Sequence, residues 1–166
     1  MSQFFFSGCH DAKLDGKSRF VLPQSFRFGL VEEGELEFTI ALGLGGCLAI
    51  YRKSDIQKII DKFRSKQHIA KYQKFFTLFF SMLYPTSCDS VGRVLLPPML
   101  KKAVGIDTEI VIAGVLDKIE LWPKDRYESN LGLTFGSKES QETLSTLIED
   151  AFALLSDEEG EHESEA

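Results

Sequence analysis

The chain lacks the cysteine pattern that would staple or metallate a small fold. Cys9, Cys47 and Cys88 form an odd set with no metal-ligand spacing, which argues against a disulfide framework or a zinc site as its organising device. Each is expected to be a small buried hydrophobe. It also lacks a long hydrophobic run. The longest, Phe75 to Tyr84, has ten residues with Thr77 and Ser81 inside it, far short of the roughly 20 needed to cross a bilayer. Phe4-Phe5-Phe6 is too short for the apolar part of an export signal and has no basic lead-in. No membrane partner is implied, and the cytoplasm is the expected location.

Catalytic patterns are equally scarce. His10, His68 and His162 stand apart from one another and from any nucleophile, zinc or acid–base motif. Gly43-Leu44-Gly45-Gly46 has neither the lysine nor the hydroxyl of a phosphate-binding loop and reads as a hairpin turn between two strands. A non-catalytic protein without a cofactor is expected. An excess of basic charge is missing too, since the net charge is −6, whereas nucleic-acid binders usually carry a basic footprint. That balance is uneven. Asp157, Glu158, Glu159, Glu161, Glu163 and Glu165 crowd the last ten residues, and without them the 19 remaining acidic residues match the 19 lysines and arginines. A neutral body leaves room for a local basic patch.

What the chain does contain, it contains twice. Asp15 to Phe26 reads Asp-Gly-Lys-Ser-Arg-Phe-Val-Leu-Pro-Gln-Ser-Phe, and 74 positions later Asp89 to Leu100 reads Asp-Ser-Val-Gly-Arg-Val-Leu-Leu-Pro-Pro-Met-Leu. Asp15 matches Asp89, Arg19 matches Arg93, and Pro23 matches Pro97. Further on, Phe38 to Leu42 parallels Glu109 to Ala113, each followed by a glycine, and Leu48 to Tyr51 parallels Ile119 to Trp122. Two units of about forty residues share one plan: turn, strand, proline-led helical turn, strand, glycine hairpin, strand.

In chain order, Ser2 to Ala12 reads as an extended lead-in, and Asp15-Gly16 is a turn signal. Pro23 opens a helical turn that ends near Gly29, and Glu32 to Glu37 reads as a charged loop. Ser54 with Gln57 three residues on forms a capping-box pattern, and Ile56, Ile59, Ile60 and Phe63 carry an amphipathic helix to Arg64. A second helix is expected from His68 to Tyr84, stopped by Pro85. After the second repeat, Leu144, Leu147, Ile148, Ala151, Phe152 and Leu155 mark an amphipathic helix from about Glu139 to Leu155, and the acidic tail is expected to lack structure. The organisation read from this is 5–53 first repeat, 54–85 helical insertion, 86–127 second repeat, 128–156 helical segment and 157–166 tail.

Two features admit two readings each. Arg19 and Arg93 occupy equivalent turn-to-strand junctions, and guanidinium groups suit phosphate oxygens and guanine edges; alternatively, each braces its own turn through Asp15 or Asp89. The aromatic stripe of Phe75 to Tyr84 is either core or a subunit interface, and its density of phenylalanine favours the interface.

The doubled Asp-x-x-x-Arg-x-x-Leu-Pro motif, together with Gly105-Ile106, Glu109 to Gly114 and Glu120-Leu121-Trp122, resembles the MraZ family of bacterial transcriptional regulators. The resemblance covers about Phe5 to Tyr127. It implies an α+β fold whose two internal repeats build an AbrB-like swapped-hairpin β-barrel, with helices between and after them. It also implies a ring-like homo-oligomer, found in the cytoplasm with the nucleoid, that binds double-stranded DNA at promoter direct repeats upstream of the division and cell-wall gene cluster. Lys17, Arg19 and Arg93 would face DNA, while Asp15 and Asp89 would hold the motif together. Three features depart from the family: Ser18 stands where many members have the glycine that Gly92 keeps, Val91 stands opposite Lys17, and the tail is acidic. A non-catalytic oligomeric scaffold without DNA binding is the alternative.

Overall fold

The computed structural model describes residues 4–130 and 138–164. It divides into two compact units, Met1–Lys124 and Asp125–Ala166, and both turn motifs lie in the first. Each repeat opens with a lead strand, β1 (Cys9–Lys13) or β7 (Tyr84–Thr86). A ribbon strand follows, β2 (Arg19–Val21) or β8 (Arg93–Leu95), then a short helix, α1 (Gln24–Leu30) or α4 (Pro98–Val104). A hairpin completes each unit: β5 (Phe38–Leu42) with β6 (Leu48–Arg52), and β9 (Glu109–Val115) with β10 (Lys118–Pro123).

The stretch expected as a charged loop forms a small hairpin, β3 (Val31–Glu32) against β4 (Glu35–Leu36). Glu33 and Gly34 take positive φ of 52° and 79°, the two-residue turn whose twist suits flanking antiparallel strands. At the end of α4, Gly105 adopts φ 74°, the left-handed cap that glycine supplies without a steric penalty.

Six strands form one antiparallel sheet in the order β1-β9-β10-β6-β5-β7. Exchanging the two repeats reverses this order and otherwise leaves it unchanged. The lead strand of each repeat pairs with the hairpin of the other: Cys9 lies opposite Ala113, and Tyr84 opposite Ile40. Where the hairpins meet, Ile50 faces Ile119 and Leu48 faces Leu121. β2 and β8 pair only with each other, with Phe20 opposite Val94 at the centre. Because that ribbon stays separate, the paired strands among the described residues form open sheets with β1 and β7 at the edges, not the closed barrel that was expected.

The core repeats as well. Phe20 and Val94, Leu22 and Leu96, Phe26 and Leu100, and Leu30 and Val104 are equivalent pairs, and all eight are buried in one cluster. Full burial of such side chains contributes about 1.5–3 kcal/mol each, so neither copy dominates the stability of the unit.

Between the repeats lie α2 (Lys53–Arg64), a 3-10 turn (Ala70–Tyr72) and α3 (Gln73–Ser81). Two expectations change here. Ser54 does not cap α2 through a box with Gln57. Instead Glu32, from the small hairpin, accepts both the backbone N–H and the hydroxyl of Ser54, a carboxylate at the positive end of a helix. The second helix also ends at Ser81, and Tyr84-Pro85-Thr86 is strand β7. Proline is tolerated there because β7 is an edge strand whose other side has no sheet partner. Much of the aromatic stripe turns inward, since Phe75, Phe76, Phe79 and Phe80 all surround Phe63 of α2 at 5.2–6.2 Å between ring centroids.

The cysteine expectation holds for Cys47, which is buried, while Cys88 is half-buried and Cys9 is exposed because edge strand β1 shows most of its residues to solvent. In the second unit, α5 (Lys124–Asn130) is followed by α6 (Lys138–Ser164). α6 runs beyond the expected end at Leu155 and through the acidic stretch to Ser164, so that stretch is helical rather than structureless; 165–166 lie outside the described residues.

Candidate nucleic-acid interface

The two arginine turns are built by their aspartates. Asp15 Oδ1 accepts the backbone N–H groups of Lys17 and Arg19, both at 2.9 Å, and Oδ2 accepts Nε–H of Arg19 at 2.9 Å. In the second copy Asp89 Oδ1 accepts the N–H groups of Val91 at 3.0 Å and Arg93 at 2.8 Å, and Oδ2 accepts Nε–H of Arg93 at 2.6 Å. The Arg19 backbone N–H is the main cause that holds Asp15 below its usual carboxylate range, and the Arg93 N–H does the same for Asp89. Each carboxylate therefore stays charged and keeps its turn closed.

This bonding removes the choice between a bracing arginine and a ligand-facing one. Each arginine is held by Nε alone, and among the described residues its two terminal nitrogens make no hydrogen bond or ion pair. The aspartate holds the guanidinium edgewise, leaving the outer fork of paired N–H donors free. That fork fits two acceptors in one plane, such as phosphate oxygens or the O6 and N7 of guanine.

The ribbon sets the spacing. Along β2 and β8 the burial alternates, so Phe20 and Val94 point to the core while Arg19, Val21, Arg93 and Leu95 share the outer face. Arg19 lies opposite Leu95 and Arg93 opposite Val21, which makes the two arginines diagonal neighbours about 7–8 Å apart at the backbone. Val21 and Leu95 are exposed between them. Lys17 extends the face on the first turn, where Val91, also exposed, is its counterpart.

Two further cations belong to the site. Lys101 of α4 donates from Nζ to Ser18 Oγ at 3.1 Å, so the second repeat's helix reaches the first repeat's turn. Its equivalent, Arg27 of α1, reaches the opposite way and lies over Gly92, where a Cβ would come within 2.7 Å of the guanidinium carbon. Arg27 Nε is buried there without a hydrogen bond among the described residues. Arg27 was legible in principle, because the 74-residue offset that pairs Arg19 with Arg93 also pairs Arg27 with Lys101. It was missed because nothing local shows a helix crossing to the other repeat's turn.

Residues 5–78 and 79–147 each match one protein family, described as "MraZ protein, putative antitoxin-like". The chain belongs to the MraZ family. It is also 33% identical over 125 residues to the protein named "Transcriptional regulator MraZ" of Lachnoclostridium phytofermentans, an alignment that spans 75% of this chain and 86% of that one. The first MraZ repeat carries the Asp15–Arg19 turn and the second carries Asp89–Arg93. Their boundary falls at 78/79, inside α3, so the MraZ matches divide the helices expected as a separate insertion between the two repeats.

Proposed function

We propose that this chain is a non-catalytic, sequence-specific DNA-binding transcriptional regulator. The observation that carries the reading is the β2–β8 ribbon, which holds two outward guanidinium forks on one exposed face. A two-stranded ribbon is narrow enough to enter the DNA major groove. The spacing of about 7–8 Å between its arginines is close to two steps of ~3.4 Å along a DNA strand. Arg19 and Arg93 act as base or phosphate ligands, Lys17 adds a phosphate contact, and Asp15 and Asp89 aim the arginines. The exposed Val21 and Leu95 suit contact with thymine methyl groups.

The name of the Lachnoclostridium relative supports regulation of transcription. The exchange of lead strands between repeats supports an AbrB-like swapped-hairpin architecture. As in the family, the chain acts in the cytoplasm on the nucleoid. It binds short direct repeats upstream of the division and cell-wall genes as a ring-like oligomer, in which linked weak sites raise one another's effective concentration.

The test is a salt-dependent mobility shift on the gene's own upstream region, with Arg19→Ala and Arg93→Ala beside the unaltered chain. Each substitution should weaken binding, by roughly 1–3 kcal/mol where a base contact is lost, or with a shallower salt slope where a phosphate contact is lost. Melting temperatures should change little, because exposed ion pairs contribute only about 0–1 kcal/mol. Full binding by both stable variants would rule the ribbon out. Absence of any shift with the assembly intact would favour the scaffold reading.

A further inference from the structure

The arginine ribbon leaves unexplained a groove of about 930 Å³ between α2, α3 and the loop joining β5 to β6. Its walls are apolar, with Ile59, Phe63, Phe75, Leu78 and Phe79 among them. Leu78 is exposed, as is Leu44 on the facing loop. The rim is cationic: Lys62, Lys66 and Lys74 line the opening, and their side chains make no ion pair or hydrogen bond among the described residues. An apolar trough bordered by unpaired lysines calls for a ligand that is apolar along its middle and acidic along its flanks.

The chain carries such a segment. On α6, Leu144, Leu147, Ile148, Phe152, Leu154 and Leu155 are all exposed. They recur at spacings of three and four, which places them on one helical face, along about 18 Å of helix. Glu142, Glu149 and Asp150 accompany the stripe without an ion pair among the described residues. Lys138 is the helix's sole lysine or arginine. Each surface thus offers what the other lacks: an uncovered apolar stripe with free carboxylates, and an uncovered apolar groove with free ammonium groups.

We propose that the groove of one chain is the docking site for α6 of a second copy. The apolar stripe lies along the trough, while Glu142, Glu149 and Asp150 meet the rim of Lys62, Lys66 and Lys74. Donor and acceptor are different surfaces, so the contact either pairs two chains reciprocally or runs head to tail and closes into a ring. The proposal deepens the oligomer reading by naming the two surfaces that make the contact, and it is independent of the arginine ribbon.

The experiment uses full-length chains and measures mass by light scattering, with circular dichroism to confirm folding. Leu78→Asp disables the groove and Leu147→Asp disables the helix, and both positions are exposed. Each variant alone should fall to the mass of a single chain, and an equimolar mixture should form a two-chain species, because one intact groove then meets one intact helix. Lys62→Glu with Lys74→Glu avoids any risk from an apolar wall. It should weaken assembly roughly tenfold or more through like charges, and Glu149→Lys with Asp150→Lys in the mixed partner should restore it.

A single-chain mass for the unaltered protein overturns the proposal, and so does a mixture that stays monomeric. Loss of assembly in Leu147→Asp but not in Leu78→Asp would mean α6 pairs with α6, which also overturns it. If both variants keep the full mass, the docking contact falls while the oligomer stands.

Discussion

The two arginine turns share one frame and are furnished differently. In both, an aspartate takes two backbone N–H groups and one arginine Nε–H, with the same donors in the same order. Around that frame the chemistry diverges. The first turn has Lys17, and Ser18 at φ 59° receives a hydrogen bond from Lys101. The second has Val91, and Gly92 at φ 90° lies beneath Arg27. The exchange of partners is reciprocal: a hydroxyl stands where an ammonium group reaches over, and a hydrogen stands where a flat guanidinium lies. Duplication has preserved what positions the arginine and let the surrounding charge drift. The frame is thus the shared geometric requirement, and the neighbours make the two sites unequal.

The most severe way to test whether the copies are equivalent is through their shared core. Leu22 and Leu96 are fully buried partners immediately after the ribbon. Leu22→Ala and Leu96→Ala should each cost about 2–5 kcal/mol, with similar losses in a denaturant titration. A loss confined to one of them would show that a single repeat carries the core.

The glycine position should separate the copies more mildly. Gly92→Ser forces a side chain into a left-handed backbone and against Arg27, at about 1–2 kcal/mol. Ser18→Gly relieves the same backbone cost but gives up the Lys101 hydrogen bond, so its net effect should lie within ~0.5 kcal/mol of zero. Equal destabilisation by both changes would sink the view that each turn is fitted to its own overlying cation.

The smallest expected effect sharpens the charge difference. Val91→Lys gives the second turn the cation of the first, and it should tighten DNA binding several-fold at low salt. It should steepen the salt dependence by about one unit, since each neutralised phosphate adds roughly 0.9 to the slope. An unchanged slope in the mobility shift would place Val91 away from the DNA backbone.

These comparisons follow how legibility was distributed along the chain. Turns, glycine hairpins and proline-led helices were readable because Asp15-Gly16, Gly43 to Gly46 and Pro23 act on their immediate neighbours. Pairing was not, because Cys9 finds Ala113 and Ile40 finds Tyr84 across stretches with no local mark of the exchange. For the same reason Ser54 looked like its own cap when the capping carboxylate comes from Glu32, and Pro85 looked like a helix stop when it sits in an edge strand. The acidic residues after Leu155 suggested disorder by composition, yet helical backbone continues to Ser164. At the site, Asp15, Asp89, Arg19, Arg93 and Lys17 were visible as a repeated motif. Arg27 and the free outer forks required three dimensions.

The exchanged lead strands also set the order in which a nascent chain can finish folding. β1 emerges first, but its partner strand, with Ala113 opposite Cys9, follows about a hundred residues later. At roughly 5–20 residues per second, that strand waits on the order of 5–20 seconds for its partner. The β5 edge waits for β7 as well, so two unpaired strand edges are open to wrong partners during the same interval. Completing the sheet therefore depends on the last hairpin leaving the ribosome, and a chain interrupted before Glu109 has nothing against which to lay its beginning.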